Sequence, residues 1–161
     1  MNEIMKFLLA LPLLAPLLLL GSCSPQSVDG VLLAPVPYRM YVPAHLATRL
    51  STSPVDGDSG AQMAKSGVLG ATTVSYQSAG EAPTLLMSVY WSPAAVFDAG
   101  NNSPEAPPLG RAVTRAQGMV LSVAGPKDEV FPADNPDGQN LATLVGLIYL
   151  PDTYAPTRDR E

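Results

Sequence analysis

One cysteine, Cys23, stands in a chain of 161 residues, and as a thiolate it is the strongest nucleophile the chain can offer. It follows Leu17-Leu18-Leu19-Leu20-Gly21-Ser22, an apolar run closed by two small residues. With no second cysteine, a disulfide within the chain is impossible, and a lone cysteine in an exported protein calls for another use. Hydroxyl chemistry is less well equipped. Ser59 sits in Gly57-Asp58-Ser59-Gly60, but a serine nucleophile needs a histidine base oriented by a buried aspartate. The single histidine, His45, falls on a short proline-led stretch soon before Ser59 and reads as a surface or half-buried residue. Residue 61 is Ala, so the nucleophile-elbow pattern fails as well, and Gly57–Gly60 reads as a polar turn.

Metal and phosphate chemistry are no better supplied. In Ala133-Asp134-Asn135-Pro136-Asp137-Gly138, Asn135 and Asp137 fit two ligand positions of a calcium loop, but Ala133 and Leu144 occupy two others. These residues read as turns that cap the helix following them. Lys65-Ser66-Gly67 has no Ser-x-x-Lys to accompany it, which removes the acyl-transfer reading of that triplet. One histidine and one cysteine exclude a His/Cys zinc site. No glycine-rich loop joins a strand to a helix, so there is no phosphate cradle. The sequence therefore assigns no catalytic residue, no metal and no cofactor.

The segment before Cys23 is organised as an export signal. Met1–Lys6 is short and polar, Phe7–Leu20 is apolar, and Gly21-Ser22 are small. An apolar stretch of that length rises about 21 Å as a helix. The hydrocarbon core is about 30 Å thick. Pro12 and Pro16 each remove a helical hydrogen bond, which further favours a transient signal over a lasting span. Leu20-Gly21-Ser22-Cys23 resembles the lipobox of bacterial lipoproteins. That resemblance implies cleavage before Cys23, a diacylglyceryl group on its sulfur, and attachment to a membrane through acyl chains. Ser24 follows the cysteine, and in lipoproteins a residue other than Asp there implies the outer membrane where the organism has one. Two or more chains on one residue give stable attachment where a single chain is marginal.

Loss of Glu3 and Lys6 with the leader leaves the net charge at −5. An acidic domain without a Lys/Arg cluster argues against nucleic acid as a partner, and equally against anionic lipid bound through the protein surface. Seventeen prolines point to a compact, loop-rich domain and away from a long helical bundle. The expected organisation is a signal peptide over 1–22, a tether over 23–37, a single domain over 38–150 and a polar tail over 151–161.

Within the domain, alternation predicts a first strand over Tyr38–Val42, helical turns within Pro43–Leu50, and a loop over Ser51–Gly60. A hairpin follows, with strands over Thr72–Gln77 and Thr84–Trp91. Its second strand places Leu85, Met87, Val89 and Trp91 on the core face, and Leu86, Ser88 and Tyr90 on the other. Ser92-Pro93 opens a short helix closed by Gly100. Arg111–Arg115 and Met119–Ala124 form a second hairpin about Ala116-Gln117-Gly118. Leu141, Leu144, Val145 and Ile148 mark a last helix over Asn140–Tyr149. The fold class is α+β: an antiparallel sheet of about five strands with a C-terminal helix and short helical turns. This order of elements resembles the small sheet-and-helix domains of the PsbP and Mog1 type over Tyr38–Leu150. The resemblance implies binding and assembly roles and carries no site residue over.

Tyr90, Tyr76 and Trp91 make a possible binding surface, because aromatic side chains dominate recognition hot spots. Tyr90, out of phase with Leu85, Met87 and Val89, is the expected exposed aromatic. Three functions follow in order. The first is a lipid-anchored, non-catalytic envelope protein that binds another protein or supports an assembly, with an unidentified envelope protein and the membrane as partners. The second is a small-molecule-binding lipoprotein with a pocket at Met87, Trp91 or Tyr90. The third is a hydrolase using acidic pairs such as Asp56 and Asp58, or Asp134 and Asp137.

Overall fold

The computed structural model describes residues 27–103, 109–125 and 137–157. The chain runs β1 (Val28–Leu32), β2 (Tyr38–Pro43), α1 (Ala44–Ala47), β3 (Leu50–Pro54), α2 (Gly57–Lys65), β4 (Gly70–Tyr76) and β5 (Thr84–Pro93). It continues with α3 (Ala94–Asn102), β6 (Arg111–Ala116), β7 (Met119–Ala124), α4 (Gly138–Ile148), a 3-10 turn over Pro151–Thr153, and β8 (Tyr154–Pro156). The fold is α+β, and its main sheet has five antiparallel strands in the order β3-β4-β5-β7-β6. A second antiparallel sheet, in the order β1-β2-β8, was not expected.

Two expected boundaries are corrected by this second sheet. Residues 23–37 do not serve throughout as a tether, because Val28–Leu32 pairs with Tyr38–Pro43 and both Leu33 and Val36 are buried. Nor is 151–161 a polar tail throughout, because Tyr154–Pro156 pairs with Tyr38–Met40. Both strands are short and interrupted by Gly, Asp or Pro, so their own pattern is weak; β2 supplies the template that orders them. The expected loop over Ser51–Gly60 is also corrected. Its first half is the polar edge strand β3, and Gly57 opens α2. Neither element carries a fully buried residue, and only Leu50 of β3 and Gly60 and Met63 of α2 are half-buried, so hydrophobic periodicity had little to report.

The five-stranded sheet is covered on both faces. One face meets the three-stranded sheet, α1 and α4 in a core that includes Met40, Val42, Leu46, Val74, Tyr76, Met87, Val89, Leu121, Leu144 and Ile148. The other face meets α3 and the end of α2 in a smaller core of Val68, Ala71, Tyr90, Phe97, Leu109 and Val120. Central strands buried on both faces read as near-continuous apolar runs, and β7 is buried from Val120 to Val123. The β6–β7 hairpin closes as expected at Gln117 and Gly118, both with positive φ, which suits a two-residue loop between twisted strands. On α4, Leu141, Leu144 and Ile148 are buried, while Val145 lies on the outer side and is 37% exposed.

The two sheets are joined through Thr72. Its hydroxyl is fully buried, 2.6 Å from the Leu33 carbonyl oxygen and 2.9 Å from that of Ala34. The same loop lies so close to β4 that a Cβ on Gly70 would sit 3.3 Å from the Pro35 carbonyl oxygen. At the other end of the domain, the Tyr154 hydroxyl donates to the Ile148 carbonyl at 2.7 Å and ties β8 to α4. Burial pushes the Tyr154 phenol well above its usual range, with the neighbouring Tyr149 acting in the same direction.

Candidate functional site

The residues singled out by sequence are dispersed. Cys23 lies outside the described residues, as do Asp134 and Asn135. Tyr90 is only 9% exposed and belongs to the smaller core, so the expectation of an exposed aromatic is corrected. Its face of β5 is covered by α3, which the strand's own alternation could not reveal. Trp91 is half-buried against the larger core on the opposite face, its ring 5.3 Å from that of Tyr38. Tyr76 is fully buried on that same side. Tyr90, Tyr76 and Trp91 therefore line no common surface, and Met87 and Tyr90 stand on opposite sides of the sheet.

His45 and Ser59 are both exposed and belong to different layers. His45 is on α1, which packs on β1 and β2, while Ser59 is on α2, which packs on β4. Lys65-Ser66-Gly67 is the end of α2. The Ser66 hydroxyl donates to the Met63 carbonyl at 2.7 Å, and Gly67 takes the positive φ that commonly follows a helix.

One polar cluster does converge, and it centres on Asp137 at the start of α4. Antiparallel pairing sets Leu50 opposite Tyr76, which brings Arg49 beside the end of β4. From there Arg49 Nη1 reaches Asp137 Oδ1 at 3.3 Å. The Tyr76 hydroxyl donates to the same Oδ1 at 3.2 Å, and Asn140 Nδ2 donates to the Tyr76 oxygen at 3.4 Å. The polar side chains around it, Ser78 first, then Tyr76, the charge of Arg49 and Asn140, hold the Asp137 carboxyl below the usual carboxylate range. Partial desolvation opposes these without reversing them.

A carboxylate held ionised by this many donors is an acceptor and a fastener. It has no proton to give near neutral pH. The cluster latches the first turn of α4 to the end of β4 and to Arg49 just before β3. Sequence reasoning had noted Tyr76 and Asp137 separately, as a strand aromatic and a turn residue. Arg49 and Ser78 carried no local signal at all.

A second ion pair, Asp98 with Arg115, joins α3 to β6 at 2.7 Å in the open, and the Arg115 guanidinium lies 4.9 Å from the Phe97 ring centre. The Arg115 hydrogen bond lowers the Asp98 carboxyl. Among the described residues, no three His, Cys, Asp or Glu side chains gather where they could hold a metal, and no helix is long and apolar enough to cross a membrane. Comparison with protein-family models, with curated proteins and with solved structures found no match.

Proposed function

We propose that the chain is a lipid-anchored protein of the cell envelope whose domain acts without catalysis, binding another protein or supporting an assembly at the membrane surface. The observation that carries this reading is Leu20-Gly21-Ser22-Cys23: an apolar export segment, two small residues and the only cysteine. Acylation gives that thiol a use that no partner cysteine can supply. The mature protein starts at Cys23 on a surface facing away from the cytoplasm, the outer membrane where the organism has one. A folded domain begins only five residues later, at Val28. Its polar clusters fasten elements together, which suits a module that presents a surface.

Cys23→Ala tests the anchor. The variant should lose acyl-chain labelling and leave the detergent-soluble membrane fraction for the aqueous one. Unchanged membrane retention would overturn the reading. For the partner, crosslinking in intact envelopes should recover a protein with the wild-type chain that a control lipoprotein does not recover. Recovery of none would remove the binding role and leave the anchor standing.

A further inference from the structure

We propose that the outer face of the three-stranded sheet lies against the membrane leaflet that carries the anchor. This rests on the reading that Cys23 is acylated. Strand alternation sends Val28, Gly30 and Leu32 of β1 to the face away from the core, opposite Pro43, Tyr41 and Arg39 of β2. Val28 is 60% exposed, Leu32 44% and Tyr41 39%. They form one patch, because the Tyr41 ring lies across Gly30, where a Cβ would meet Tyr41 Cε1 at 3.1 Å. The other large exposed apolar side chains among the described residues are Leu69 and Leu85 beside the five-stranded sheet, Val145 on α4 and Leu150 just after it.

The occupant follows from chain length. Ser27 is already tied to the fold, since its carbonyl accepts a hydrogen bond from the Ala44 amide at 2.9 Å. Four Cα steps separate it from Cys23, which in any conformation span at most about 15 Å. Acyl chains in the leaflet hold Cys23 at the lipid surface, so β1 begins close to that surface. The nearest apolar patch is the one that starts at Val28. Its composition suits the interface: Tyr belongs at the boundary between lipid and water, and Arg39 can lay its methylenes on apolar surface while its head reaches a phosphate. In a chain of net charge −5, Arg39 is the only charged residue that the pairing of β1, β2 and β8 sends to this face.

The test uses the full protein, expressed with its leader, purified from membranes and reconstituted in phosphatidylcholine–phosphatidylglycerol vesicles. An environment-sensitive fluorophore is placed on Leu32→Cys or, as a second variant, on Val28→Cys, with Gln62→Cys on α2 as the control. Nitroxide-bearing lipid in the bilayer should quench the Leu32 and Val28 probes at least about twofold more than the Gln62 probe, as expected for a face sunk into the headgroup region. Equal, weak quenching of all three on acylated protein would overturn the inference. A Leu32 probe that is shielded from water yet unquenched would also overturn it, because a second copy or another protein would then cover the face. The mass of the N-terminal peptide, read on the same sample, separates the two claims. Acyl chains on Cys23 with no quenching difference reject the docked face alone, whereas a free Cys23 thiol rejects the anchor and the docked face together.

Discussion

The Tyr76 hydroxyl at the end of β4 donates to Asp137 Oδ1 at the start of α4 across 3.2 Å, joining residues 61 positions apart. The phenol is buried with its ring in the larger core, so the bond is sheltered and the ring cannot swing away. Tyr76→Phe keeps the ring and removes only the donor. It should lower unfolding free energy by about 1.5–3 kcal/mol, the range for a hydrogen bond to a charged group. Asp137→Ala should cost more than Tyr76→Phe, because both Arg49 and Tyr76 lose a shared acceptor. Urea denaturation of both variants checks the order.

The same cluster sets a response to acid. The folded-state carboxyl of Asp137 titrates below its unfolded value, chiefly through the polar Ser78 side chain beside it, and Asp98 is lowered by Arg115. Between those values the unfolded chain binds more protons than the folded one, so stability rises with pH there. The contribution of each is fully present above about pH 4, the ordinary carboxylate range, and fades as pH falls through the folded-state value. Asp137→Asn should flatten the acid limb of a plot of denaturation midpoint against pH. A limb of unchanged slope would show that the cluster does not titrate with folding.

Strand β5 marks where sequence pattern succeeds and where it stops. Met87, Val89 and Trp91 fall on the larger core as strict alternation predicts. Leu85 does not, because the register slips between Val74 and Ser75 on β4: Val74 faces Met87 while Ser75 faces Leu85. Leu86 becomes the extra residue of a bulge, and the phase inverts beyond it. Hence Leu86 is 2% exposed and Leu85 55%. Leu86→Ala should cost about 2–4 kcal/mol, whereas Leu85→Ala should fall within about 0.5 kcal/mol of wild type. Thermal or chemical unfolding of the pair decides it.

What was legible follows the same division. Periodicity within one element announced the last helix and the two hairpins, which supply four of the five strands of the main sheet, but it missed the polar edge strand β3 and placed Tyr38–Val42 in the same sheet as the hairpins. It could not announce β1 and β8, whose order comes from β2, nor the cover that α3 lays over Tyr90. The Asp137 cluster was illegible for the same reason. Arg49 and Asp137 are 88 positions apart, and nothing local to either chooses the other.

Under that cover, Ser92 and Ser122 are fully buried on the face of Tyr90, and their hydroxyls have no hydrogen-bond partner among the described residues. A buried hydroxyl without a partner opposes folding, so removing it relieves a cost. Ser122→Ala and Ser92→Ala should each leave stability unchanged or raise it by up to about 1 kcal/mol. A clear loss of stability in either variant would mean that the hydroxyl has a partner, such as a bound water.

Thr72 offers a test of how the two sheets depend on each other. Its hydroxyl reaches the Leu33 and Ala34 carbonyl oxygens in the loop between β1 and β2. The Leu33 oxygen also accepts the Val36 amide at 2.9 Å, which leaves Ala34 the more dependent on Thr72. Thr72→Val preserves shape and β-branching and removes the hydroxyl, at an expected cost of about 1–2 kcal/mol. The loss should fall unevenly. Strand β1 is an edge strand held by β2, by α1 and by this loop, whereas β4 is flanked by β3 and β5. Amide hydrogen exchange should therefore quicken at the β1–β2 pairing, from Val28 to Val42, before it changes in β4 and β5. Uniform quickening across both sheets would show that they open as one unit. Selective opening of β1 would identify the loop contact as what holds the exposed face of Val28, Leu32 and Tyr41 on the rest of the domain.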